Sequence, residues 1–291
     1  MADLSYLQAV AIGALQGVTE LFPVSSLGHS ILVPAWIGGS WESLVTQQEQ
    51  SGHTPFLAFI VALHVATAMA LLTFYRREWL DVIRGLIDIA RHRNLSSNRS
   101  RFAALLVAGT IPAGIAGLLL EKPLRGAFST PAIAALFLTL NGLVLAVTEL
   151  LTRADQNRRI SHRPKRLSRM SFSDAIMIGS AQILALLPGI SRSGVTISAG
   201  LLRHYTHERA TRFALMLATP LILAAGVLKM PELATPETAN IRGQVLIGMV
   251  VAFAAAYLAT RYLTRLMKTR TLWPFVAYCL IAGIASLIRF A

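Results

Sequence analysis

The chain has 291 residues, of which 54% are hydrophobic and 14% charged, where a soluble domain carries roughly 25% charged residues. The deficit argues for an integral membrane protein with the lipid bilayer as its surroundings. The net charge of +13 lies in a few blocks between apolar segments, without a basic stripe interleaved with aromatics, so nucleic acid is not an expected partner.

The N-terminus, MADLSY, lacks the basic region of a signal peptide, so the first apolar run is expected to be retained. That run, Leu4 to Leu21, is broken by Glu20, Pro23, Ser25 and Ser26 and resumes from Ile31 to Ile37. Three stretches of the length a bilayer demands, about 20 residues, follow: Pro55 to Tyr75, Phe102 to Leu120 and Ala132 to Leu151. Next, Ala175 to Leu187 breaks at Pro188 and Gly189 and resumes from Val195 to Leu202. Three more spanning stretches close the chain: Ala210 to Leu228, Gln244 to Ala259 with its flanks, and Leu272 to Ile288. Cys279, the one cysteine, lies in the last of these; it excludes an intrachain disulfide and reads as a small buried hydrophobe. Trp36, Trp41, Trp79 and Trp273 fall close to segment ends, where an aromatic belt is expected.

Lys and Arg cluster at Arg76 to Arg101, Arg153 to Arg169 and Arg261 to Arg270, whereas the segment from Gly38 to Thr54 has none. If both broken segments enter and leave on one side, six crossings place all three rich blocks inside and both termini outside, as the positive-inside rule requires. Making the second broken segment a full crossing would expel the third block. For the first segment charge does not decide, and its reading as a hairpin rests on a repeat.

That repeat pairs GALQGVTELFPVSSLG (13 to 28) with GSAQILALLPGISRSG (179 to 194), with one deletion before the second proline. Each copy precedes three crossings, and the two hairpins enter from opposite sides. The expectation is an all-α integral membrane fold of six transmembrane helices and two re-entrant helical hairpins in an inverted-topology repeat. Residues 1–151 form the first repeat, 152–172 a basic cytoplasmic linker and 173–291 the second repeat. In such folds sites form where the two breaks meet near the midplane.

At the second break, Arg is rarely placed at membrane depth without a partner, and its planar fork suits an oxyanion. Ser191, Ser193, Thr196 and the N–H groups of a helix starting near Ser193 would complete an anion cradle around Arg192, a reading preferred to helix capping alone. At the first break, Gln16 and Glu20 share a helix face, and Ser26 and His29 are three apart. Glu20, the hydroxyls of Ser25 and Ser26, and His29 make a proton-transfer and nucleophile set. His64, mid-crossing with Thr67, could line the cavity, but a bundle-facing structural histidine is the preferred reading, and Glu149 reads as a solvated or paired carboxylate.

On QGVTELFPVSSLGH (16 to 29) and PGISRSGVT (188 to 196) the chain resembles the undecaprenyl-diphosphate phosphatase family, the bacitracin-resistance proteins, and the resemblance covers essentially the whole chain. It implies hydrolysis of a C55 isoprenyl diphosphate lipid at the outer face of the bacterial plasma membrane, recycling the carrier for cell-wall synthesis. It carries over Glu20, Ser26 and His29 from the first motif and Ser191, Arg192, Ser193 and Thr196 from the second. It also implies a divalent metal, Mg²⁺ or Ca²⁺, at Glu20. Where the family often has a second carboxylate this chain has Gln16, which weakens that site or leaves a carbonyl oxygen as ligand. The rival reading is a polyprenyl-phosphate transporter using the same anion site, which needs the cradle but no nucleophile. A homodimer is one allowed assembly; the sequence does not fix the oligomeric state.

Overall fold

A computed structural model describes residues 4–42, 55–93, 95–128, 130–158, 164–229, 240–269 and 271–291. The linker residues 159–163 lie outside the described set. Every regular element among the described residues is helical.

Helix α1 (Tyr6–Thr19) starts at a capping box: Gln8 N–H donates to Ser5 Oγ at 3.2 Å and Ser5 N–H to Gln8 Oε1 at 2.9 Å. Glu20 is its C-cap, so the helix stops two residues before Leu21 and delivers the carboxylate to the break. Ser25, left-handed at φ +70°, caps α2 (Ser26–Ile37) by accepting from Gly28 N–H at 3.2 Å. The second arm therefore starts five residues before Ile31.

Helix α3 (Pro55–Phe74) bends by 89° into α4 (Arg76–His92). The sequence reading took this block for its charge alone, yet α4 is amphipathic. Leu80, Ile83, Leu86 and Ile87 recur at helical spacing and are exposed, while Val82 and Gly85 are buried. Helices α5 (Asn98–Phe128) and α6 (Pro131–Arg158) follow. Helix α7 (Phe172–Ser180), capped by Ser171, passes into a 3₁₀ turn over Ala181–Leu186. The break thus begins well before Pro188. Leu187 is extended (φ −83°, ψ 123°), the conformation a following proline imposes. Helices α8 (Arg192–Leu202), α9 (His207–Lys229), α10 (Arg242–Thr269) and α11 (Trp273–Phe290) complete the chain. The segments α5, α6, α9, α10 and α11 are long and apolar enough to cross a membrane, and the bent pair α3–α4 brings the total to as many as six.

Helix α1 packs along α10, and α7 along α5, while α6 pairs with α11 and α3 with α9. Both arms approach their supports at backbone distance. Gly13 lies on the Gly248 carbonyl and Gly17 on Ala252 and Ala256; Gly179 lies on Gly109. Two buried carboxylates brace the end that carries the basic residues. Asp174 receives Lys165 at 3.0 Å, Arg203 at 2.6 Å and the Tyr205 hydroxyl at 2.8 Å. Glu149 is paired, as its position near the helix end suggests, with Arg153 at 3.0 Å and His207 at 2.8 Å. Cys279 is fully buried.

A side chain at Gly179 would collide with the Gly109 backbone, whereas Gly114 has open space around it. Gly179→Leu should therefore destabilise the fold by about 1–3 kcal/mol or more through overpacking. Thermal denaturation in detergent should show a lowered midpoint for Gly179→Leu and almost none for Gly114→Leu.

Candidate functional site

Both helix breaks arrive at one place. A Cβ at Gly28 would fall 2.9 Å from the Gly189 Cα, one at Gly189 would collide with Ala134 and Phe137 of α6, and Gly189 is also left-handed at φ +110°. The Ser25 hydroxyl accepts from Gly189 N–H at 3.2 Å. Asn141, buried on α6, joins the two: its amide donates to the Pro23 carbonyl at 3.0 Å and accepts from Ser191 N–H at 3.0 Å.

Glu20 is the hub. Its side chain is 3% exposed, and Arg192 Nη2 donates to Oε1 as a charged pair. The Ser26 hydroxyl donates to Oε2 at 2.5 Å and Gln16 Nε2 to the same oxygen at 3.0 Å. His64 Nε2 stands 3.4 Å from Oε2, its side chain 32% exposed. The N-termini of α2 and α8 both begin here, at Ser26 and Arg192. This brings two positive helix ends to the one carboxylate.

The sequence-predicted residues divide into two sets. Glu20, Ser26, Arg192 and Gln16 meet, and Ser26 and Arg192 are partly exposed. The hydroxyls of Ser25, Ser191, Ser193 and Thr196 are buried and turned onto protein groups. Ser25 bonds as above; Ser191 accepts from Gly194 N–H at 3.1 Å, Ser193 donates to the Phe22 carbonyl at 3.0 Å, and Thr196 to the Arg192 carbonyl at 2.6 Å. Ser25, Ser191 (to the Phe22 carbonyl at 3.4 Å) and Ser193 fasten the breaks to each other, Thr196 bonds within its own helix, and Arg192 is left as the partly exposed anion donor of the second motif. His29 is 3% exposed and does not reach Ser26 or Glu20 through any hydrogen bond among the described residues. Its Nδ1 is 2.6 Å from the Ser25 carbonyl, which can only accept, so Nδ1 carries the proton. Nε2 then accepts from the Tyr278 hydroxyl at 2.6 Å, and the two rings stack.

For a divalent ion, Gln16 offers Glu20 its amide nitrogen, so that pair is donor and acceptor rather than two ligands. No cluster of three or more His, Cys, Asp or Glu that could hold a metal occurs among the described residues. One carboxylate does not make a Ca²⁺ cage of six to eight oxygens. It does fit an ion completed largely by phosphate oxygens, the usual way Mg²⁺ is bound. Tyr278 and Asn141 escaped the sequence reading, and His64 sits at the site where its preferred reading was structural, because all three enter from crossings distant in sequence.

With the geometry in place, comparison with known proteins assigns the family. A family model described as bacitracin resistance protein BacA matches residues 9–285. The chain belongs to the BacA family. It is 52% identical to an undecaprenyl-diphosphatase of Mycolicibacterium paratuberculosis, over 100% of this chain and 99% of the relative. It is 51% identical to one of Mycobacterium avium with the same coverage. With undecaprenyl-diphosphatase 2 of Chromobacterium violaceum it shares 41% identity, covering 98% of this chain and 99% of that protein. This BacA-family chain is accordingly a multi-pass membrane protein.

Removing the Asn141 amide orphans the buried Pro23 carbonyl and Ser191 N–H, about 1–3 kcal/mol for each group. Asn141→Ala should unfold at a clearly lower temperature than wild type in detergent. Asn141→Asp, which keeps the acceptor for Ser191, should fall between them.

Proposed function

We propose that this protein is a membrane phosphatase that hydrolyses undecaprenyl diphosphate to undecaprenyl phosphate and inorganic phosphate. The carrying observation is that a partly exposed hydroxyl, Ser26, and a partly exposed guanidinium, Arg192, share one buried carboxylate, Glu20. A hydroxyl bonded at 2.5 Å to a carboxylate is an activated nucleophile, and a guanidinium beside it is an oxyanion donor. A carrier of isoprenyl phosphate has use for Arg192 but none for the Ser26–Glu20 bond, so the geometry favours hydrolysis over transport.

Arg192 and the N–H ends of α2 and α8 hold the terminal phosphoryl group and take up the charge on its equatorial oxygens. Glu20 Oε2 receives the Ser26 proton as Oγ attacks the terminal phosphorus. The bond from that phosphorus to the bridging oxygen breaks, and undecaprenyl phosphate leaves. Protonated Glu20 returns that proton to the departing oxygen; water then attacks the phosphorylated Ser26 and gives a proton to Glu20, which passes it to Oγ as the phosphorus–Oγ bond breaks, releasing phosphate and Ser26. A divalent ion bound at Glu20, Mg²⁺ or Ca²⁺ by family resemblance, would supply further neutralisation of the diphosphate charge. His29, buried and bonded on both nitrogens, locks the first turn of α2 and so aims Ser26.

The membrane arrangement belongs to the same reading. Helices α3, α5, α6, α9, α10 and α11 make six crossings, α1–α2 and α7–α8 form re-entrant hairpins, and α4 lies along the cytoplasmic surface. The right-angled bend before α4 and its exposed apolar stripe support this. The reciprocal packing of α1 on α10 and α7 on α5 supports the inverted repeat, because each hairpin arm rests on the matching crossing of the other half. The positive-inside rule favours both termini on the outer side of the inner membrane, and the family resemblance favours a site opening to that same side.

The test is phosphate release from farnesyl or undecaprenyl diphosphate by the purified full-length chain. Glu20→Gln should lower turnover by ~10²–10⁴-fold as the base is lost, and Arg192→Ala by ~10²–10³-fold. A rapid quench with terminally labelled substrate should trap label on wild-type protein and none on Ser26→Ala. Near wild-type turnover in either of the first two variants would refute the assignment.

A further inference from the structure

Helix α4 is held against the bundle by one face. Val82 is buried, Ile89 packs on the core, and Gly85 lies on the Arg99 carbonyl at the start of α5. The opposite face carries Leu80, Ile83, Leu86 and Ile87, each 40–50% exposed. Along one edge of that apolar stripe run Arg77, Arg84 and Arg91, all exposed. Seven residues make nearly two turns, so the three form a row along the helix with steps of about 10 Å. Each stands three or four positions from Leu80 or Ile87, hence beside it on the helix surface. The carboxylates lie off the stripe. Glu78 is taken by Arg212 of α9 at 3.0 Å. Asp81 and Asp88 fall on the side of the arginine row away from the stripe. Asp81 reaches Arg84 at 3.8 Å, a loose contact between two side chains more than half exposed.

We propose that this face of α4 is a docking surface for anionic phospholipid, an inference that rests on the membrane arrangement above. The stripe enters the acyl layer, and Arg77, Arg84 and Arg91 bind headgroup phosphates. Charge complementarity names the occupant. From Arg76 to Arg101 seven arginines stand against three carboxylates, so the surface suits anionic rather than zwitterionic headgroups. Arginine grips a phosphate through paired N–H bonds. Its apolar stem lies along the neighbouring stripe while the charged end reaches headgroup level. The bend of 89° after α3 starts α4 where a crossing ends, so a lipid surface is already at hand.

The experiment titrates full-length protein in detergent with phosphatidylglycerol and, separately, phosphatidylcholine of the same chains, read by native mass spectrometry. Wild type should bind phosphatidylglycerol at least ~10-fold more tightly. Arg84→Gln should weaken that binding ~5-fold, and the triple variant Arg77→Gln/Arg84→Gln/Arg91→Gln should bring the two lipids within ~2-fold of each other. Arg261→Gln/Arg265→Gln, which removes two exposed arginines from α10, should keep the preference. Equal affinity of wild type for the two lipids would overturn the proposal. So would a preference that survives the triple variant, or one that the α10 variant abolishes as well. A wild-type dimer that Ile83→Gln/Ile87→Gln dissociates, with no lipid preference, would place a second copy on the stripe and overturn it too. The membrane arrangement is checked apart, with His92→Cys in spheroplasts and wild type, whose Cys279 is buried, as the blank. An impermeant maleimide should react only once the membrane is opened. Labelling from outside with the preference retained sinks the arrangement alone, and labelling only after opening with no preference sinks the lipid surface alone.

Discussion

A carboxylate in the interior of an apolar bundle has to meet positive charge, and Glu20 meets it in Arg192, 172 residues further along the chain. Breaking a buried pair by losing one partner costs about 3–5 kcal/mol, because the survivor is left uncompensated. Neither charge is tolerable alone, so the pair makes the folding of the two breaks mutually dependent. The uncharged contacts converge on the same junction. Ser25 reaches Gly189, Ser193 reaches Phe22, and Asn141 reaches both sides. Polar groups that would be costly in hydrocarbon are thereby used up against each other. What stays open to an incoming anion is a small set: Arg192, Ser26 and the edge of His64.

The same economy explains why hydroxyls that look alike in sequence act differently. A serine at a helix N-cap is drawn to the nearest free N–H, and at this junction the free backbone groups belong to the opposite break. Ser25 and Ser191 therefore serve as fasteners. Ser26, one residue past its cap, projects to Glu20 instead. The difference is set by where the helices begin.

Much of the architecture could be read from the sequence because lipid imposes simple rules: apolar runs long enough to span, polar breaks that need company, and basic blocks between them. Glu20, Ser26 and Arg192 were visible as misfits in apolar surroundings. His64 could be raised as a cavity-lining residue but not chosen, since one histidine in a crossing looks the same whether it faces a neighbouring helix or a carboxylate. Its role depends on α3 passing α1, a tertiary fact. Tyr278 and Asn141 were hidden for the same reason, being ordinary residues of apolar helices. The amphipathic helix α4 was legible in principle. Leu80, Ile83, Leu86 and Ile87 keep helical spacing, but the arginines around them drew the reading toward topology. The early end of α7 reflects a 3₁₀ turn, which leaves no periodic signature in so short an apolar run.

The glycine contacts of the hairpin arms carry an evolutionary consequence. Gly13 and Gly17 are fitted to α10, and Gly179 to α5, so each arm finds its bed in the opposite half of the chain. A half-length ancestor would have had no surface of its own on which to lay its hairpin. On the inverted-repeat reading proposed above, it could have become a compact protein only by pairing with a second copy inserted upside down. Dual-topology dimerisation before gene fusion is thus the history that this packing implies.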